Sequence, residues 1–227
     1  MLLTTKGIVL RFVKYRESSI IATIYTEKEG IVSVIANSVR SKNSKGKIAL
    51  FQPMSLVELV IYFNASKNIN RISEIRSYHP LHKLRQGPIK SAIAIFLTEM
   101  LNKCLKEEVG NTSLYNFLQD SIIQLNDQED SINDFHMVFL HNLSRYLGFK
   151  PASVDEYVEH ITNKSFYNEE DHKHALLSLM SGDYGTQTKL NSSTRQIFLA
   201  DLLEYYQNHT EIGKIKSVEI LHELLHS

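Results

Sequence analysis

The feature that most limits how this chain can fold is a change of hydrophobic period between Pro80 and Pro88. Before it, short apolar stretches rich in Val, Ile, Tyr and Phe alternate with polar turns, which is the pattern of strands. The candidate strands are 7–13, 19–25, 31–36, 56–63 and 70–77, and Glu27-Lys28-Glu29-Gly30 is the clearest turn between them. After Pro88 the period becomes about 3.6. Ala92, Ile93, Phe96, Leu97, Met100, Leu101, Cys104 and Leu105 recur at three- and four-residue spacing and predict a helix over 88–108. Further helices are expected near 113–125, 132–147, 169–180, 192–206 and 215–225, with Gly110, Gly148, Gly182 and Gly213 close to their ends or connections.

Five short strands in about eighty residues fit a small closed barrel. The five-stranded OB-fold is the commonest such barrel with a nucleic-acid-binding face, and an SH3-like barrel stays open at this point. We therefore expect an α+β multidomain chain, with an OB-fold over 1–80 followed by an α-helical domain over 81–227. At 227 residues and 43% hydrophobic content, such a chain can bury a real core.

A formal net charge of zero conceals a strong polarity. Through Lys90 there are fifteen Lys and Arg against five Glu and no Asp, whereas the remainder carries ten bases and twenty acids. A basic first part points to a polyanionic partner. The single cysteine, Cys104, excludes an internal disulfide and any multi-cysteine zinc knuckle. No apolar run has the length of a membrane span and the first residues do not read as a signal peptide, so a cytoplasmic protein is expected.

Cations concentrate in one loop. Asn37-Ser38-Val39-Arg40-Ser41-Lys42-Asn43-Ser44-Lys45-Gly46-Lys47 has four bases and no acid, and small Ser and Asn side chains alternate with them. Such a surface tracks a phosphate backbone without strong base readout. Lys14 and Arg16 flank Tyr15 at the first turn. The candidate DNA-binding residues are thus Lys14, Arg16, Arg40, Lys42, Lys45 and Lys47, while Tyr15, Tyr62 and Phe63 are candidates to stack on bases.

Signals for catalysis are weak. The stretch His222-Glu223-Leu224-Leu225-His226 matches the H-E-x-x-H zinc signature. It lacks a third ligand, however, and Leu221, Leu224 and Leu225 mark an amphipathic helix with two surface histidines. His172 and His174, after Glu169-Glu170-Asp171, read as a solvated helix start. The phosphate loop, the dinucleotide fingerprint and the nucleophile elbow are all absent. We expect a binding protein with no cofactor, and not an enzyme.

The order of several short motifs resembles the bacterial RecO family of recombination mediators. They are Gly7-Ile8-Val9-Leu10, Glu17-Ser18, Tyr25-Thr26-Glu27-Lys28-Glu29-Gly30, Arg40-Ser41-Lys42-Asn43-Ser44, Leu50-Phe51-Gln52-Pro53, and Leu143 followed by Tyr146-Leu147-Gly148-Phe149-Lys150-Pro151. The resemblance implies an amino-terminal OB-fold and a helical domain. It also implies binding of single- and double-stranded DNA, strand annealing, contact with the tail of the single-strand-binding protein SSB, and cooperation with RecR in loading RecA. Bacterial, nucleoid-associated cytoplasm is the implied location. The family's basic loop residues carry over onto Arg40 and Lys42. Many relatives carry a cysteine-rich zinc element after the Leu-Gly-Phe turn; 151–180 contains no cysteine here, so no structural zinc is expected. The basic loop alone leaves an RNA-binding OB protein as the alternative.

Overall fold

In the computed structural model, which describes residues 1–41, 44, 46–106, 109–130, 132–185 and 188–226, the first part of the chain is a closed five-stranded barrel. The strands are β1 (Leu2–Tyr15), β2 (Ser19–Thr26), β3 (Gly30–Ala36), β4 (Leu56–Tyr62) and β5 (Asn70–His79). Their order around the barrel is β1-β2-β3-β5-β4, and β4 pairs back onto β1. All pairings are antiparallel except β3 with β5. This is the OB-fold expected from the sequence, and the order excludes a simple meander.

Alternation decides which side chains fill the barrel. Ile20, Ala22 and Ile24 of β2 point inward with Val32, Val34 and Ala36 of β3 and Val57, Leu59 and Ile61 of β4. β1 is long enough to serve two neighbours: Leu2 to Ile8 face β4, and Gly7 to Tyr15 face β2, with a register shift between Val9 and Arg11. Gly7 sits where these two pairings overlap. A Cβ there would lie 2.6 Å from Ile24 Cγ2 and 3.0 Å from Leu59 Cδ2, so the strand can turn inward only without a side chain.

β1 begins five residues before the expected start. Thr4, Thr5 and Lys6 are polar, yet Thr5 is buried and the segment is held by a full register with β4. The long connection from β3 to β4 is pinned by apolar side chains: Val39 and Phe51 join the core cluster, and Ile48 and Leu50 pack against it. Burying Phe51 alone is worth about 2–3 kcal/mol.

The chain divides into two compact units. The first comprises Met1–Lys83 and Leu105–Ile123, the second Leu84–Cys104 and Gln124–Ser227. The helices are α1 (His82–Gln86), α2 (Pro88–Cys104), α3 (Thr112–Asp127), α4 (Phe135–Tyr146), α5 (Val154–Glu159), α6 (Glu170–Met180), α7 (Ser192–His209) and α8 (Val218–His226). In the barrel unit, the Tyr115 hydroxyl of α3 lies 2.9 Å from that of Tyr78, which in turn donates to Gln119 Oε1 at 2.7 Å. Burial raises the pKa of both tyrosines. Gly110, just ahead of α3, packs directly on the Lys28 carbonyl.

In the helical unit α2 opens on Pro88, whose fixed φ suits a first helical position, and it ends at Cys104 and not at 108. Residue 108 lies outside the described residues. The helix expected over 132–147 opens as a 3-10 turn, Ile132–Asp134, before α4. Asp134 is buried there, accepting from Arg195 Nε at 2.7 Å and Thr188 Oγ1 at 2.6 Å. α4 closes through Gly148 at φ 84, with Phe149 N donating to Ser144 O at 3.0 Å. α1 and α5, of five and six residues, have no counterpart among the helices expected from the sequence.

Candidate nucleic-acid interface

The first turn and the basic loop are joined to each other. After Tyr15 the chain turns through Arg16 at φ 51, a left-handed conformation that costs a non-glycine residue about 1–2 kcal/mol. The turn is held from the other loop: Arg40 N donates to Ser18 O at 3.0 Å, and Arg40 Nη1 donates to Arg16 O at 3.2 Å. Ser38, at φ 58, makes the matching bend, and Ser41 Oγ closes it on Ser38 O at 2.9 Å. Ser19 Oγ also reaches Asn37 Oδ1 at 3.1 Å.

Two loops from opposite sides of β2 therefore form one rim with Arg16 and Arg40 adjacent. Both are exposed, as are Lys14, two residues back on β1, and Lys47, at the start of the 3-10 turn Lys47–Phe51. Lys42 and Lys45, the other two candidates, lie outside the described residues. One hydrogen bond to Arg16 O leaves most of the Arg40 guanidinium fork directed elsewhere. The Arg16 guanidinium lies 5.2 Å from the centre of the exposed Tyr15 ring, a cation–π contact. Of the other aromatic candidates, Tyr62 is exposed on β4, whereas Phe63 packs against the barrel core.

A second basic feature is not anticipated by the sequence reading. A groove of about 480 Å³ runs along the outer side of β3 under the β4–β5 loop, lined by Ser33, Phe63, Asn64, Lys67 and Lys106 among others, with Glu29 at one edge. The loop sequence Asn64-Ala65-Ser66-Lys67-Asn68 carries the same mixture of small polar residues and lysine as the 37–47 loop, and that mixture could have marked it. Lys106 has no such signal, because it enters the barrel unit from beyond α2. OB-folds bind oligonucleotides across the β2–β3 face between the loops that bracket it. Here that face has the Arg16–Arg40 rim at one end and this groove at the other.

Comparison with known proteins agrees with this architecture. The model for recombination protein O, N terminal, matches residues 1–81, and that for recombination protein O, C terminal, matches residues 85–219. The chain is 36% identical to DNA repair protein RecO of Bacteroides fragilis, with 99% of each chain covered. It is 34% identical to the protein of that name in Phocaeicola vulgatus and 32% identical to that in Flavobacterium psychrophilum, again with 99% of each covered. The chain belongs to the RecO family.

The region that follows the Leu-Gly-Phe turn, where the resemblance raises a zinc element, is filled instead by aromatic rings. Tyr157 stacks on Tyr205 at 4.9 Å, Phe166 on His172 at 3.9 Å and Phe149 on His209 at 5.1 Å, while the Tyr167 hydroxyl donates to buried Asp201 at 2.9 Å. His160, His172 and His209 each direct Nδ1 at a backbone carbonyl. Among the described residues no three His, Cys, Asp or Glu side chains converge as a metal site, so this segment does not fit a zinc ion. His172 is thus a packed residue and not a solvated one, and His222, on α8, is half-buried rather than on the surface. No helix among the described residues is long and apolar enough to cross a membrane.

Proposed function

We propose that this chain is a DNA repair and recombination mediator whose barrel, residues 1–80, binds single- and double-stranded DNA, and whose helical domain, residues 81–227, receives protein partners. The observation that carries the reading is the joined rim of Arg16 and Arg40, with Lys14 and Lys47 nearby, in the part of the chain where bases outnumber acids threefold. Lys42 and Lys45 add charge to the same loop in the sequence. Side chains of this kind neutralise phosphates along a strand and release counterions without reading bases. Family membership supports a wider role in strand annealing and, with RecR, in loading RecA on single strands coated with SSB, whose acidic tail would be a further partner. Each of these tasks is binding and exchange, with no covalent step.

Fluorescence anisotropy of a labelled single-stranded DNA oligomer, free and SSB-coated, measured over a range of salt, tests this. Binding should weaken with salt and persist on coated strands. Arg16→Ala combined with Arg40→Ala should lower the log–log salt slope by about 1.4, or about 0.7 for each phosphate that is no longer neutralised. Absence of binding at low salt overturns the DNA role, and an unchanged slope in the double variant removes these two residues from it. A matched RNA oligomer binding more tightly than DNA would transfer the site to RNA.

A further inference from the structure

The strand registers place one uninterrupted row of outward side chains around the barrel. Val13 of β1 pairs with Ile21 of β2, Ile21 with Ile35 of β3, Ile35 with Arg71 of β5, Arg71 with Tyr62 of β4, and Tyr62 with Leu2 at the start of β1. All six project away from the core, since their neighbours Phe12, Ile20, Val34, Ile72, Ile61 and Leu3 belong to it or pack against it. Val13, Tyr62 and Leu2 are 55%, 53% and 62% exposed, and Ile21 and Ile35 are partly so. At about 4.8 Å between strands, the row follows about 24 Å of curved surface. Five apolar side chains in an exposed line on a sheet mark a place that something covers.

The surroundings select the occupant. The next outward row on the same face, Arg11, Thr23 and Ser33, is polar, and Arg11 Nε donates to Thr23 Oγ1 at 3.3 Å. Arg71 interrupts the apolar line itself, and the Arg16–Arg40 rim stands beyond its Val13 end. A ligand that satisfies both rows must be apolar on its flat faces and anionic along its edge, which describes the bases and backbone of a single nucleic-acid strand.

We propose that this belt is the base-contacting surface of the barrel, with Tyr62 stacking on a base and Arg71 holding the adjoining phosphate. The proposal rests on the DNA-binding reading above and deepens it. The rim and Arg71 then supply the salt-dependent part of affinity, and the apolar side chains of the belt the part that depends on bases and not on salt. It extends the bound strand's path past the β2–β3 face and onto β4 and β1.

The test compares the full-length protein with Tyr62→Ala and Tyr62→Phe, using a single-stranded DNA oligomer and an abasic oligomer of equal length at several salt concentrations. Tyr62→Ala should weaken binding to the normal oligomer about tenfold at every salt concentration with the slope unchanged, and Tyr62→Phe should restore it. The wild-type protein should bind the abasic oligomer more weakly, and Tyr62→Ala should not weaken that binding further. Equal affinity for normal and abasic oligomers, or an unaltered Tyr62→Ala, overturns the belt while leaving DNA binding intact. Failure of the wild type to bind either oligomer removes the underlying reading as well. Loss of a protein partner with no change in DNA affinity would assign the belt to that partner and overturn the proposal.

Discussion

The barrel unit and the helical unit handle charge in opposite ways. In the barrel the cations stand outside, on the joined loops, and the interior is aliphatic with Phe51. In the helical unit the ionisable groups go inside: Asp134 with Arg195, Asp201 with Tyr167, and the fully buried His136 and His141. Among the described residues, every buried Asp and His belongs to this second unit. Charge kept on the surface is available to an outside polyanion and contributes little to stability. Charge placed inside orders the packing of its own unit and makes that unit sensitive to pH and to the removal of either partner.

Acid should separate the two most sharply. Burial holds both His136 and His141 down to about 3, below the ordinary histidine range, so the stability that rests on their neutral form is complete above about pH 6.5 and is lost as pH falls toward 3. Burial pushes Asp201 the other way, up to about 6, so its cost is full above pH 6 and is relieved as pH falls toward 4. Between pH 7 and pH 4 each histidine costs about 3 kcal/mol and Asp201 returns about 2, a net loss of roughly 4 kcal/mol. Segment-resolved hydrogen exchange, corrected for its intrinsic pH dependence, should show the helical unit opening first. Equal opening of the barrel at pH 4 would break the comparison.

Removing one partner of a buried pair gives the next effect. Arg195→Ala leaves Asp134 buried with its hydrogen bond from Thr188 but without its ion-pair partner and should cost about 3 kcal/mol in urea unfolding, with DNA affinity unchanged. Asp201→Asn keeps an acceptor for Tyr167 and removes the buried carboxylate. It should stabilise the protein by about 2 kcal/mol at pH 7.5 and by almost nothing at pH 4. The smallest effect lies in the barrel. Arg16→Gly relieves a left-handed residue, and should raise stability by about 0.5–1 kcal/mol while weakening single-stranded DNA binding severalfold. A variant weakened in both stability and binding would show that Arg16 supports the fold and is not reserved for a ligand.

Much of this architecture is legible in the residues because alternation is a strong signal. Ile20-Ile21-Ala22-Thr23-Ile24 and Ile31-Val32-Ser33-Val34-Ile35 place strands, and the stripe from Ala92 to Cys104 places α2. What is not legible depends on distant partners. Thr4, Thr5 and Lys6 become strand only because β4 lies beside them. Short α1 and α5 hold too few turns for a period to register, and α5 starts on the Ser153 cap, whose side chain accepts from Glu156 N. At the candidate interface, composition marks Arg16 and Arg40 separately. Their junction rests on two positive-φ residues, Arg16 and Ser38, neither of them the glycine that would have announced it.

The barrel unit is also discontinuous along the chain. Leu105–Ile123 belong to it, yet Leu84–Cys104, which belong to the other unit, come first. A ribosome making this protein delivers all five strands well before the helix bearing Tyr115 and Gln119, so Tyr78 must wait for its hydrogen-bond partners until about forty more residues have been added. No single cut can release the complete barrel unit free of Leu84–Cys104, and a clone ending near residue 80 would leave its β5 tyrosine without them.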